Sequence, residues 1–277
     1  MGEELPRLRA EIKLRREGVV APLVTLLRET TENVAIGLWA AREYSPGGVH
    51  LSPDYIPFTF SEPDLKDPPE DEIRRRRQGF EAWVLKRGFE ECSKAVFESL
   101  HEAYLFVRFA QADLSAVATL DDLQKFEREV RRKAGKMQFP GFLQAIKSGL
   151  TSPLDLEDEI SSVNRVRNCL EHRRGIVGES DVTPDEYALV LKWRELQLVS
   201  EKDGKVSAYK MGTLAPEGAA IGLRTVSSSR GFGVGERITL TAAEFNHVAY
   251  TCYLFGYTLA NSLAGPPEDS IGASAPA

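Results

Sequence analysis

Leu5, Leu8 and Ile12, then Leu23, Leu27, Val34 and Leu38, recur at helical spacings and predict helix over residues 3–44, in two pieces broken near Gly18. From Ser45 to Glu72 the pattern stops: six of the 15 prolines fall there, a density that excludes helix interior and central strand, so 45–72 reads as an irregular surface excursion. A long helix over about 70–112 follows, with Phe89, Cys92, Val96, Leu100, Ala103 and Val107 stepping by three and four. Thr119 caps a third helix through Leu123, Phe126 and Val130, and a short helix is expected after Phe139-Pro140-Gly141. Ser152-Pro153 has the form of a cap and first turn, followed by acids at 155 and 157–159, a stripe of Leu156, Ile160, Val163, Val166 and Leu170, and Gly175 as terminator.

The period then changes from helical to two. Leu189, Leu191 and Trp193 alternate, while Leu196 and Leu198 alternate in the opposite phase. Either a bulge intervenes or the first part is helical after Thr183-Pro184-Asp185-Glu186. Asp203-Gly204 is a hairpin turn, Val206–Met211 a strand, and Ile221–Val226 and Arg237–Leu240 two more around a flexible Ser227–Gly235 loop. A last helix opens on Thr241 capped reciprocally by Glu244 and carries Phe245, Val248, Cys252, Phe255 and Leu259; the tail 264–277 is expected to be disordered. Its full apolar stripe must find the earlier helices, so the expected fold is mainly α, a helical bundle with a small antiparallel β insertion (187–240) before the last helix.

The 277 residues are 42% hydrophobic and 27% charged, the mixture of a soluble globular protein with room for one large domain or two modest ones. The formal net charge of −6 argues against a general nucleic-acid binder, so any polyanion must be met by a local basic site. Cys92, Cys169 and Cys252 are scattered, with neither zinc spacing nor a disulfide framework; no metal or cofactor is implied. No apolar run approaches the ~18–20 residues of a membrane span, and the opening residues are charged where a signal peptide would be apolar. The cytoplasm is the expected compartment.

The densest polar chemistry lies on the helix after Ser152: Asn164, Arg165, Arg167, Asn168, Glu171, His172, Arg173 and Arg174. An Arg five positions before a His arises by chance in roughly a third of chains with this composition; requiring Asn directly after the Arg lowers that to roughly 0.6%. The run Arg167-Asn168-Cys169-Leu170-Glu171-His172 resembles the signature of the HEPN superfamily (higher eukaryotes and prokaryotes nucleotide-binding): Arg, four to six residues, then His, often with a polar residue after the Arg. The resemblance covers this motif and its helical surroundings, taken as 73–178 and 241–263. It leaves the N-terminal helices (1–44) and the β insertion unexplained.

That resemblance implies a helical dimer with two motifs facing across a cleft and, in active members, a metal-independent endoribonuclease leaving 2′,3′-cyclic phosphate ends. It implies RNA and a second copy as partners, an antitoxin or regulatory protein as a further one, and a defence, toxin or stress setting. The side chains suit the chemistry. RNA carries its own nucleophile in the 2′-OH, imidazole takes and gives protons near neutral pH, and guanidinium grips phosphate with two prongs. His172, Arg167 and Asn168 are the expected catalytic residues, with Asn164, Arg165, Arg173 and Arg174 as RNA- or phosphate-binding residues. A non-catalytic nucleotide-, RNA- or protein-binding module is the alternative.

At ~100° per residue Arg167 and His172 point about 140° apart, whereas Asn168 and His172 share a face. Either the helix ends near Glu171 and lets His172 turn inward, or two chains supply the working pair. Each residue also has a purely structural role open to it: Arg167 pairing with Glu171, His172 and Arg173–Arg174 facing the negative end of the helix dipole. Where one subset of the family carries a tyrosine modified by a partner nucleotidyltransferase, this chain has Arg174. Arg74–Arg77 reads as a solvated helix face, His101 and His247 as satisfied histidines, Tyr250, Tyr253 and Tyr257 as packing residues, and Gly231–Gly235 lacks the context of a phosphate loop.

Overall fold

The computed structural model describes residues 14–44, 69–112, 119–182, 187–210, 212–214 and 216–265. The expected helical piece before Leu14, most of the proline-rich segment, the Thr183–Glu186 box and the tail from 266 lie outside them. The described residues form six α-helices and a three-stranded antiparallel sheet placed before the last helix, as the change of period predicts: α1 Glu17–Glu43, α2 Glu70–Ala110, α3 Leu120–Ala134, α4 Phe139–Ile146, α5 Glu157–His172, β1 Leu189–Lys202, β2 Lys205–Ala208, β3 Ala220–Phe232 and α6 Ala242–Ser262.

α1 and α2 make an antiparallel hairpin along the full length of α1. Ser99 Oγ donates to the Val19 carbonyl (2.8 Å) at one end, and Arg77 donates to the Tyr44 carbonyl through Nε (3.1 Å) and Nη2 (2.7 Å) at the other. The backbones approach closely at Gly37 and Gly88; a Cβ on Gly88 would stand 2.4 Å from Val34 Cγ2 and 2.8 Å from Phe245 Cε2. α1 begins at Glu17, beside Gly18, and residues 14–16 before it are not helical; the expected helical piece further upstream lies outside the described residues. Phe142 of α4 meets Phe97, His101 and Tyr104 of α2 edge-on, and α6 crosses α1 and α2. Leu23, Leu27 and Val34 share one hydrophobic cluster with α2, α5, α6 and β1, so α1 belongs to the main body of the protein.

In the sheet, β1 is central and pairs with β3 without interruption from Leu189↔Phe232 to Glu201↔Ala220. Neither the bulge nor the helical start is found. The phase change has another cause: Leu189, Leu191 and Trp193 point into the helical body, and beyond Arg194 the ribbon runs past it, leaving Leu196 and Leu223 exposed on the other face. The expected Ser227–Gly235 loop is also corrected, since residues up to Phe232 are strand. Its serines are turn formers by propensity, but here they line the β1 pairing. Arg237–Leu240 is not a strand; Arg237 makes one isolated bridge to Ile176. The Asp203-Gly204 turn forms with φ of 52° and 73°, the left-handed pair a tight hairpin requires.

Candidate functional site

α5 begins at Glu157, four residues after the expected Ser152-Pro153 start. The segment around Ser152 is used otherwise. Thr151 N–H donates to the Ser262 carbonyl (2.7 Å) and the Ser152 and Ser262 hydroxyls lie 3.2 Å apart, which docks this stretch on the end of α6. The chain enters α5 through Leu156 at φ 65°, whose N–H donates to Asp155 Oδ1 (2.9 Å) and whose side chain is buried. Glu157, Asp158 and Glu159 occupy the first turn, where the dipole favours them.

Two hydroxyls dock α5 and α6 on β1. Ser162 Oγ accepts from Lys192 N–H (2.8 Å), and Thr251 Oγ1 of α6 accepts from Arg194 N–H (2.8 Å), so the free edge of β1 is satisfied by helices rather than by another strand. Glu159 pairs with Arg194 Nε at 2.8 Å. At its far end α5 runs through His172 and stops as Arg174 (φ 55°) and Gly175 (φ 76°) turn left-handed, with Gly175 N–H returning to the Cys169 carbonyl at 3.1 Å. Gly175 and Val177 then bond to Ile238, Glu236 and Gly235 at 2.8–2.9 Å, clamping the end of the motif helix to the exit of β3.

Helix geometry sorts the polar side chains. Asn164, Asn168 and His172, four apart, form one stripe; Arg165 borders it on one side, and Arg167 with Glu171 lies on the other. Arg167 Nε sits 2.7 Å from Glu171 Oε1, and Arg167 Nη1 makes a long contact of 3.5 Å with Asn168 Oδ1. His172 is exposed and has no hydrogen bond or ion pair among the described residues. Arg173 is committed to Asp181 and to Ser180 Oγ (2.7 Å), in the single 3₁₀ turn after the motif. The Arg174 carbonyl accepts from Arg237 Nη1 at 3.3 Å.

Because α5 is helical to His172, the option in which the helix ends early and His172 turns inward is not realised. Arg167 and His172 stay on divergent directions of one cylinder. Cys169, inside the motif, is a core thiol: burial and then the Asp181 carboxylate push it up to about 11, and Sγ donates to the Ile176 carbonyl (3.4 Å). One feature of the face has no sequence signal. Arg165 Nε is shielded from solvent without a hydrogen-bond partner, whereas the other buried atom in that condition among the described residues, Arg194 Nε, lies against Glu159.

Arginines and His101 among the weaker candidates take structural roles. Arg75 and Arg76 pair with Glu72, and Arg77 anchors the Tyr44 carbonyl. His101 lies 3.5 Å from Glu102 and packs on Phe142. Phe232 of the Gly231–Gly235 stretch is fully buried. Tyr253 and Tyr257 are exposed on α6 rather than packed. Among the described residues no cluster suits a metal ion, and no helix is long and apolar enough to cross a membrane. Two shallow hollows, at the β1–β2 turn and at residues 147–157, include none of the motif residues. Compared with known protein families, curated proteins and solved structures, the chain matches none of them.

Proposed function

We propose that the chain is a metal-independent endoribonuclease of HEPN type, acting as a homodimer whose two Arg167-Asn168-x-x-x-His172 motifs face each other across a two-fold axis, so that each composite site takes Arg167 from one copy and His172 from the other. The observation that carries this reading is the unbroken α5, which aims Arg167 and His172 about 140° apart. Convergence on one phosphate then requires Arg167 from one copy and His172 from the other across a two-fold axis. His172 takes the proton of a ribose 2′-OH, the 2′-oxygen bonds to phosphorus, and the P–O5′ bond breaks. The leaving 5′-oxygen takes a proton from solvent, the proton held by His172 returns to solvent, and the product end is a 2′,3′-cyclic phosphate. Arg167 offsets the charge growing on the phosphoryl oxygens, and Asn168 adds a neutral donor.

A second reading has its own observation: Glu171 already neutralises Arg167 within one chain, which favours a non-catalytic nucleotide-, RNA- or protein-binding module. One experiment separates the two. Total RNA and a labelled oligoribonucleotide are incubated in EDTA with wild type, Arg167→Ala and His172→Ala, and the product ends are analysed. Wild-type cleavage with cyclic phosphate ends, reduced at least ~10²-fold in both variants, is the expected result. Intact RNA with the dimeric wild type selects the binding module. A defence, toxin or stress role held in check by an antitoxin or regulatory protein is consistent with such an activity, and toxicity on expression that His172→Ala relieves is its cellular counterpart.

A further inference from the structure

We propose that Arg165, which lies outside the motif, is the residue that grips the RNA backbone beside the cleavage point, holding a phosphate that neighbours the one at His172. The inference rests on the reading of this face as an RNA-binding surface, and three features carry it. Arg167, the motif arginine, is occupied by Glu171 at 2.7 Å, while Arg165 has no acidic partner among the described residues. Arg165 Nε is enclosed without a hydrogen-bond partner while the residue as a whole is half-buried, so no protein acceptor competes with a ligand for its guanidinium. Seven residues separate Arg165 from His172, so the two side chains point within about 20° of one another, roughly 10.5 Å apart along the helix axis.

Side chains on a helix all lean toward its N-terminus, so Arg165 and His172 lean in the same sense and keep their axial separation of about 10.5 Å. Arg165 therefore cannot share the phosphate at which His172 acts and reaches the next ones along the same strand. Asn164 and Asn168 lie on the adjoining arc of the helix, where neutral donors can follow the backbone without adding charge. The ligand class is thus a single strand with several phosphates, rather than a free nucleotide or a lone phosphate. Arg165 contributes to binding and not to bond breaking.

The test uses a fluorescent, fully 2′-O-methylated oligoribonucleotide of about eight nucleotides, which has no free 2′-OH nucleophile, titrated by anisotropy over a range of salt. Arg165→Ala is expected to weaken binding about tenfold and to lower the slope of log affinity against log salt by about 0.7, the share of one phosphate contact on a single strand. Arg165→Lys keeps the slope and loses part of the affinity, because the charge stays and the planar fork goes. In single-turnover cleavage the effect of Arg165→Ala falls on the protein concentration needed for half-saturation, which rises about tenfold. The melting temperature of this variant is unchanged or higher, since a buried unpaired donor has been removed, so weakened binding is not unfolding.

Wild-type affinity and slope in Arg165→Ala overturn the inference, as does a loss confined to the saturating rate. A wild type that binds this probe without cleaving natural RNA defeats the ribonuclease reading and leaves Arg165 judged by the same titration. A wild type that binds no RNA at low salt overturns the Arg165 inference.

Discussion

Arg167 and Glu171 sit one helical turn apart, at side-chain exposures of 35% and 31%, where water screens much of their attraction. An i,i+4 pair of this kind contributes about 0.3–0.5 kcal/mol. On the proposed ribonuclease reading its larger consequence is functional, because a guanidinium held by a carboxylate of its own helix would have to exchange that partner for a phosphate. Glu171→Gln is therefore expected to change stability by less than about 0.5 kcal/mol in a urea titration while raising the rate of RNA cleavage several-fold. A slower variant would mean that Glu171 orients Arg167 rather than competing for it. Cys169, two residues on, shows how burial decides chemistry inside a motif. With its thiol pushed up to about 11, thiolate is scarce at pH 8, and iodoacetamide should modify it about a hundredfold more slowly than an ordinary thiol, even before access is considered. The sign for stability follows from the same shift: the unfolded thiol ionises first, so Cys169 costs stability progressively as pH rises from about 9 to 11. Sequence spacing exposed the 167–172 motif and named Glu171 as a partner for Arg167. It had no access to the unsatisfied Arg165 Nε, because that depends on what covers an atom and not on the residue's place in a pattern.

The helices are held by two different devices, and glycine substitutions in α2 separate packing from propensity. At Gly79 nothing lies within 4 Å of an added Cβ, so Gly79→Ala should stabilise the protein by up to about 1 kcal/mol through helix propensity alone. At Gly88 the same methyl group meets Val34 and Phe245 at 2.4 and 2.8 Å, and overpacking of about 1–3 kcal/mol outweighs that gain. Chemical denaturation of the two variants should therefore give opposite signs. α6 depends on its first turn. Thr241 Oγ1 accepts from Glu244 N–H (3.1 Å), Glu244 Oε2 accepts from Thr241 N–H (2.8 Å), and Arg230 Nη1 lies 3.0 Å from the same carboxylate. Burial alone would raise the Glu244 carboxyl; the Thr241 N–H and Arg230 outweigh it and hold it below the ordinary range. Its contribution is thus present above the ordinary carboxyl range and is lost as pH falls through it. Thr241→Ala should cost about 1 kcal/mol at neutral pH. The cap at Thr119 and the reciprocal cap of Thr241 with Glu244 were readable because their partners are local; the return bond of Asp122 to Thr119 is seen only in the structure. Ser152 has the same local form, yet its hydroxyl goes to Ser262, a contact 110 residues away that no window of sequence contains. The unbroken register of β1 was hidden for a related reason: the reversal of apolar phase at Leu196 records where the ribbon leaves the helical body, and nothing local distinguishes that from a bulge.

At the scale of the molecule, one core joins α1 through α6 with the near half of the sheet, and the polar face of α5 is left outward beside it. Stripe periodicity was enough to place most of that core, including Phe89, Val96 and Leu100 of α2 and Phe245, Val248 and Leu259 of α6. It did not say that α1 is part of the same body, because the partner of an amphipathic face is settled by tertiary packing at Gly37, Gly88 and Gly256. The outward face of α5 poses the question that one chain leaves open, namely whether the motif works within a protomer or between two. Mixing inactive variants answers it. If Arg167 of one copy serves His172 of the other, a dimer of one Arg167→Ala chain and one His172→Ala chain holds one doubly damaged site and one intact site. If both residues act within their own chain, every site in that dimer is damaged. Equal mixing after subunit exchange makes half of the dimers heterodimers, so the composite site predicts recovery of about a quarter of the wild-type cleavage rate. Each variant alone stays inactive, and the recovery should disappear on dilution below the dimer dissociation constant. Exchange verified by mass with no recovery would mean that Arg167 and His172 act within one protomer and would overturn the composite site.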